Sequence, residues 1–506
     1  MSLTRFEAVR LLRSPLVWGA AVLMVALRVW QTWSRAPAWP EVTIDTAYGC
    51  MLVGAGTLLA ANLAVNRDRR HGMPETVGAL PVRAPARTRA LLVVAPAVAA
   101  ATACAATAVH LLSLLPAHPA GRFDPWEALT GPVAAALCGV LGVAVGRWLP
   151  GPAAGPIVLF AVATPVELSR SGGSWAALLP VILRHDLPVE INPRPSEAHL
   201  VYLLALIPLV AALGMARYGL RPRRALAALA GLAVAVPTGA TATAATHDVV
   251  PQERLARWSA AEAQRCRDVE GVRYCAYPGY EAWIPLWARA VRPVIAAVPP
   301  AQRAGVPEIR QRLGGVSDGQ GRETMSKPAW PHPTGPFFLW GRHATAELSE
   351  AWLGGQVAAR LAGLPEPDWW RAAITDPVYG ATNVTSVTGV PGCAEWRRAR
   401  TLVALWLGGQ AGPVRVAASS WAQTSWAQTS WAQTSWAQTS WAQTKDSERP
   451  AAERLYRYAE RLLARPDARS RVWANWTTLL DPATTVEQAL PLLGLTPDPD
   501  DGKDCS

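Results

Sequence analysis

Long apolar stretches fill the first 245 residues and stop near Ala245, where the pattern turns polar and rich in Trp and Pro. Crossing a bilayer takes ~20 apolar residues. Spans are predicted at 15–33, 47–65, 90–115, 128–146, 153–168, 200–216 and 225–245. The fifth is short, and the seventh is rich in Ala and Thr with Pro237 inside it. Residues 1–245 therefore read as an all-α polytopic membrane domain. In residues 246–506, apolar positions recur at helical spacing over Pro251–Gln264, Tyr280–Val298, Thr345–Leu361, Trp396–Gly408, Ala451–Ala464 and Val486–Leu493. Pro- and Gly-rich joints at 328–336 and 365–367 separate them. A second, mainly helical domain is expected.

Charge orients the spans. Arg5, Arg10, Arg13, Arg67, Arg69, Arg70, Arg83, Arg87, Arg89, Arg147, Arg217, Arg221, Arg223 and Arg224 fall on one side. The other side has Arg35, Arg122, Arg170, Arg184 and Arg194, diluted by Glu41, Asp45, Asp124, Glu127, Asp186, Glu190 and Glu197. Cytoplasmic loops collect Arg and Lys, so the N-terminus is expected inside and, after seven crossings, residues 246–506 outside. Without the seventh span the second domain would be cytoplasmic. Arg28, near the outer end of the first span, is expected to snorkel to the interface. The formal charge of +11 comes from Arg, since only Lys327, Lys445 and Lys503 are lysines. That bias fits a GC-rich genome such as an actinobacterium's. The basic residues sit beside spans rather than on one soluble face, which argues against nucleic-acid binding.

Of seven cysteines, Cys50, Cys104 and Cys138 lie in spans and are expected to be free. No C-x2-C zinc spacing is found among Cys266, Cys275, Cys393 and Cys505, and no metal or cofactor is expected. In Cys266-RDVEGVRY-Cys275 a Glu-Gly turn separates two short β-compatible runs. A disulfide-closed hairpin fits that spacing, and disulfides belong in oxidising compartments. No small-residue cleavage site follows the first apolar stretch, so no cleavable signal peptide is expected.

Two elements on the Arg-rich side carry the functional reading. Residues 3–12 put Phe6, Val9 and Leu12 at helical spacing with Arg5 and Arg10 between, which predicts a short amphipathic helix on the inner surface. The inner loop contains Arg67-Asp68-Arg69-Arg70, Glu75-Thr76 and Leu80-Pro81-Val82. Over about the first 220 residues, these features resemble the membrane subunit of ABC-2 type ABC transporters. That family has an N-terminal amphipathic helix, a charged loop between the second and third spans, six spans, and a longer outer segment before the sixth. Here that segment is 169–199, with an apolar piece at 175–183. The resemblance implies that the loop (Arg67, Asp68, Arg69, Arg70, Glu75, Thr76, Leu80, Pro81) docks on a separate ATPase, and that membrane subunits pair as a homo- or heterodimer. The chain has no G-x-x-x-x-G-K-[ST] phosphate loop, so ATP hydrolysis is expected in a partner chain. Export of a small or hydrophobic molecule across the bacterial plasma membrane is the expected activity. The seventh span and the second domain depart from the family pattern. No substrate-binding residue is assigned. His110 is the ionisable group nearest mid-span, and it reads as a tolerated or interface-facing histidine.

The second domain offers weaker signals. Five copies of Ser-Trp-Ala-Gln-Thr fill 420–444, a period that matches neither helix nor strand and reads as an exposed insert. Residues 346–357 resemble the zinc helix of M1-type metallopeptidases. Ala346 and Glu350 stand where its two histidines would be, and only Glu347 matches the general base. His343 and Glu347 could reach one ion, but two ligands do not make a zinc site. An ordinary amphipathic helix is the simpler reading. Trp-Leu-Gly-Gly-Gln recurs at 352–356 and 406–410 and is expected to mark two helix ends. The alternative to a transporter subunit is thus a membrane-anchored, extracytoplasmic domain that binds a ligand or is an inactive peptidase relative.

Overall fold

The computed structural model describes residues 3–33, 35–67, 84–169, 174–183, 194–219, 221–246, 253, 257–258, 260–311, 335–336, 346–364, 393–412 and 449–498. The chain divides into two compact units, Met1–Pro251 and Gln252–Ser506.

The first unit is a helical bundle: α1 (Leu3–Leu12), α2 (Pro15–Thr32), α3 (Trp39–Val65), α4 (Ala84–Leu114), α5 (Pro125–Trp148), α6 (Ala154–Leu168), α7 (Ser196–Ala216) and α8 (Pro222–Ala245). Proline in the first turn starts α2, α3, α5 and α8, where its missing N–H costs nothing. The Asp124 carboxylate accepts from the Trp126 amide and caps α5. Six of these helices, α2–α5, α7 and α8, are long and apolar enough to cross a membrane. The expected seventh stretch is therefore a full-length helix. The expected fifth is α6, 15 residues long, or ~22 Å against a ~30 Å hydrocarbon core. Exposed apolar residues such as Val22 and Leu23 on α2, Phe160 on α6 and Leu226 and Leu229 on α8 form the surface such helices turn toward lipid.

The α3–α5 pair sets the layout. The two run parallel: Gly131 of α5 faces Ala47 and Cys50, Gly54 faces Cys138, Gly142 faces Leu58, and Gly146 faces Asn62 and Val65. A Cβ on Gly142 would lie 2.4 Å from the Leu58 carbonyl oxygen, so only glycine permits this backbone approach. α4 returns antiparallel to α3, since Thr46 meets His110 and Cys50 meets Thr107. α5 and α7 are also parallel. The Trp148 indole donates to the Leu213 carbonyl at one end, and Ser196 reaches Glu127 at the other. The chain between them must traverse the bundle, and α6 does so despite its length: Gly155 lies by Leu59 and Asn62, and Glu167 accepts from the Tyr48 hydroxyl. α8 then runs antiparallel to α7, with Gly231 near Ala205 and Gly239 near Tyr202. The first unit thus makes seven passes, and α8 ends opposite α1.

The second unit is mainly helical around a three-stranded sheet: β1 (Arg265–Val269) antiparallel to β2 (Val272–Ala276), and β3 (Ile309–Arg310) parallel to β2. The helices are α9 (Ile284–Ala297), α10 (Ala346–Leu361), α11 (Cys393–Trp396), α12 (Ala399–Gly408), α13 (Arg449–Leu463), α14 (Ala468–Ala474), α15 (Trp476–Leu480) and α16 (Val486–Leu492). Within the predicted Pro251–Gln264 helix, Glu253, Arg257 and Trp258 are helical, Ala261–Ala263 is a 3-10 turn, and β1 begins at Arg265. Glu270 and Gly271 both have positive φ, 52° and 80°, the two-residue turn a twisted hairpin favours. Glutamate is unusual there, and Arg292 holds its carboxylate with two N–H donors. Tyr274, Tyr277, Tyr280, Trp283 and Trp287 are buried as the aromatic core. The two Trp-Leu-Gly-Gly-Gln segments do not mark two helix ends. The second ends α12, but the first is mid-helix in α10, and they pack together: a Cβ on Gly408 would lie 3.3 Å from the Gly355 Cα, and one on Gly354 would strike Ala411. Glycine here serves close packing. The SWAQT copies at 420–444 lie outside the described residues.

Gly142→Ala forces the α3–α5 backbones apart. It should destabilise the first unit by ~1–3 kcal/mol, read as a lower thermal midpoint in detergent. Gly151→Ala, whose Cβ meets nothing within 4 Å, should leave the midpoint unchanged. Burial, helped by the Glu270 carboxylate, pushes the Tyr274 phenol up to about 12. The free phenol titrates at ~10, so the stability tied to this proton is complete below pH ~10 and lost as pH rises toward 12. Near-ultraviolet circular dichroism of the aromatic core should hold to pH ~10 and collapse above it. Collapse before the free phenol titrates would contradict the assignment.

Candidate functional site

The bundle end that carries α1 gathers the basic residues. Arg5, Arg10, Arg13, Arg67, Arg87, Arg89, Arg147, Arg217, Arg221, Arg223 and Arg224 all belong to α1, to the adjoining ends of α3, α4 and α5, or to the α7–α8 turn. Leu11 of α1 is buried in a cluster with Val17, Ala61, Val65 and Leu91. Glu7 is also buried, and its carboxylate pairs with Arg67 at 3.6 Å. α1 is thereby tied to the first residue of the inner loop. Of the predicted amphipathic face, Phe6 and Leu12 are exposed, Val9 is half-buried, and Arg10 is exposed beside them. Leu11 and Glu7, which the spacing did not single out, do the anchoring. Asp68, Arg69, Arg70, Glu75, Thr76, Leu80 and Pro81 lie outside the described residues.

The opposite end is built from charges that the sequence offered only as dilution. Glu127, in the first turn of α5, is buried. It accepts from Arg194 Nε at 3.2 Å and from the Ser196 hydroxyl at 2.9 Å. Arg194 also donates to the Ile182 carbonyl at 2.6 Å. This node secures a strap, 174–183, that opens with a 3-10 turn (Ser174–Leu178) and continues as irregular backbone; its Ala176, Ala177, Val181, Ile182 and Leu183 are buried against α3, α5, α6, α7 and α8. Irregular backbone inside a membrane domain must find its hydrogen-bond partners within the protein. Here Tyr202 donates to Leu178 O, His199 Nε2 meets Leu179 O, and Arg194 takes Ile182 O. The expected apolar piece at 175–183 is therefore inside the bundle end. No local motif announces a pair separated by 67 residues; only the parallel run of α5 and α7 creates it.

A polar seam lies just inside that end. Arg28 does not snorkel: its side chain is 11% exposed, 3.9 Å from Asp45 and stacked over the Tyr48 ring. Gly49 makes room for it, since a Cβ there would meet Arg28 Nε at 2.9 Å. His110 is fully buried and meets Thr46 where α4 packs on α3. The Thr46 hydroxyl spends its hydrogen on Val42 O, so Thr46 accepts from His110 Nδ1–H, and Nε2 is left as a buried acceptor without a partner.

In the second unit, Cys266 and Cys275 form the expected disulfide at directly opposed positions of the hairpin. Glu350, in the place of a zinc-helix histidine, is held by Arg289 at 2.5 Å. His343 and the Glu347 side chain lie outside the described residues. The one group among the described residues with metal-ligand spacing is Cys266, Cys275 and Glu308, and its two sulfurs are bonded to each other.

Glu127→Ala removes the carboxylate that faces the buried Arg194 guanidinium, which keeps its bond to the Ile182 carbonyl. It should cost ~3–5 kcal/mol of stability, whereas removing both charges should cost less. Thermal unfolding of E127A, R194A and E127A/R194A in one detergent gives the comparison, and additive losses would contradict a coupled pair. No protein-family model, curated protein or solved structure matches this chain.

Proposed function

We propose that the chain is the transmembrane subunit of an ABC-2 type ABC transporter, exporting a small or hydrophobic molecule with energy from a separate ATPase subunit. The observation that carries this reading is the Glu7–Arg67 bridge. It joins the N-terminal helix to the start of the α3–α4 loop on the basic end, so a push on the loop is transmitted to α1, α3 and α4 together. The segregation of arginine supports a cytoplasmic location for that end. On this reading residues 246–506 lie outside, an assignment that the Cys266–Cys275 disulfide supports because such bonds belong in oxidising compartments. Membrane subunits pair, and the second unit serves the exit side.

The compact second unit, with its own aromatic core, favours one other reading: an extracytoplasmic ligand-binding domain held by a membrane scaffold. Its zinc-like helix does not support peptidase chemistry, because Glu350 is committed to Arg289.

Purification of the tagged chain from its host in mild detergent should bring down an ABC ATPase. Arg67→Glu, which sets two acids against each other at Glu7, should reduce that recovery at least about tenfold, the effect of ~1.4 kcal/mol. Repeated recovery of the chain without an ATPase would sink the transporter reading and favour the scaffold.

A further inference from the structure

One face of the sheet in the second unit carries a composed set of reactive groups. Cys266, Cys275 and Arg310 stand in register across β1, β2 and β3. The sulfurs differ in access: Cys266 is exposed and Cys275 is fully buried. Glu308 Oε1 lies 2.9 Å from Cys275 Sγ and 3.8 Å from Cys266 Sγ. Arg310 and Arg273 hold the same carboxylate at 3.0 and 3.3 Å.

A disulfide sulfur has no hydrogen. The Glu308 oxygen therefore sits at hydrogen-bond distance from an atom that cannot donate to it. Reduction places a hydrogen on Cys275 and turns the same contact into a charge-assisted hydrogen bond. The surroundings are thus matched better to the dithiol than to the disulfide. The Arg310 and Arg273 guanidiniums, paired with Glu308, offset the repulsion its carboxylate would exert on a departing thiolate.

We infer that Cys266–Cys275 is a redox-active pair that exchanges with an exposed dithiol, Cys266 receiving the incoming sulfur and Cys275 leaving toward Glu308. A thiolate of the dithiol forms a bond to Cys266 Sγ as the Cys266–Cys275 bond breaks, and the electron pair goes to Cys275, which takes up a proton. The second thiolate of the dithiol then attacks its own sulfur in the mixed disulfide and releases Cys266, which takes up the second proton. Two electrons pass to the protein, and the dithiol leaves as a disulfide. Burial selects the direction of attack, because only Cys266 can be approached. Opening the bond leaves the strands paired, since β2 remains joined to β1 and β3 and Tyr274 remains in the core.

The test equilibrates the full chain, in mild detergent, with glutathione buffers of graded potential. Each cysteine is trapped by alkylation and read by mass spectrometry, with tryptophan fluorescence reporting the core; neither transport nor an ATPase enters the readout. The bond should open while the core signal is unchanged. Glu308→Gln should move the equilibrium about tenfold toward the disulfide, ~30 mV for a two-electron couple. Arg273→Gln, at an exposed position, should slow opening about two- to fivefold. Opening that occurs only with loss of the core signal would make the bond a structural staple and overturn the inference. So would an unchanged equilibrium in E308Q or an unchanged rate in R273Q.

Discussion

The first unit depends on one contact, the parallel approach of α3 and α5 at backbone distance. Between apolar helices in lipid there is little hydrophobic gain from association, so close packing and polar contacts must hold them. Glycines at 131, 142 and 146 bring the α5 backbone onto α3 with no side chain between. Because α3 and α5 are parallel, α4 must return between them. Because α7 is parallel to α5, the short α6 must carry the chain across once more. The odd number of passes, and with it the separation of α1 from the end of α8, follows from those two parallel pairs.

Charge is handled differently at the two ends. At the α1 end Arg67 is committed to a buried carboxylate, and Arg224 donates to the Met215 and Gly219 carbonyls. At the other end fewer charges do more: Glu127, Arg194 and Ser196 form one node, and that node fastens a strap of irregular backbone into the bundle. An isolated charge there would be expensive to desolvate. The pair is tolerable because each member also receives or gives further hydrogen bonds.

Much of this was legible in the sequence. Apolar length placed most helix ends of the first unit to within four residues, although α3 starts eight and α4 six residues earlier than predicted, and Arg counting sorted their ends. The Glu-Gly turn between two β-compatible runs predicted the hairpin and its disulfide. Other features were not legible, for physical reasons. Arg28 could snorkel or turn inward, and the choice rests on Gly49 and the adjacent Tyr48, both on another helix. The two Gly-Gly pairs read as stop signals because glycine weakens a helix, yet the first is retained mid-helix to let the second approach it. Leu11 and Glu7 were overlooked on α1 because periodicity favours the wider apolar stripe, whereas anchoring used one leucine and one ion pair. Pairings between distant residues, such as Glu127 with Arg194, arise only from topology and leave no local trace.

The account rests on an odd number of membrane passes. Its most direct test is to place one small epitope before Leu3 and another after Ser506, and to probe each in intact cells and in opened ones. The account predicts that the C-terminal epitope is reached in intact cells while the N-terminal one is reached only after opening. Both epitopes on one side would contradict it, and the short α6 would then have to be read as a helix that does not cross the membrane.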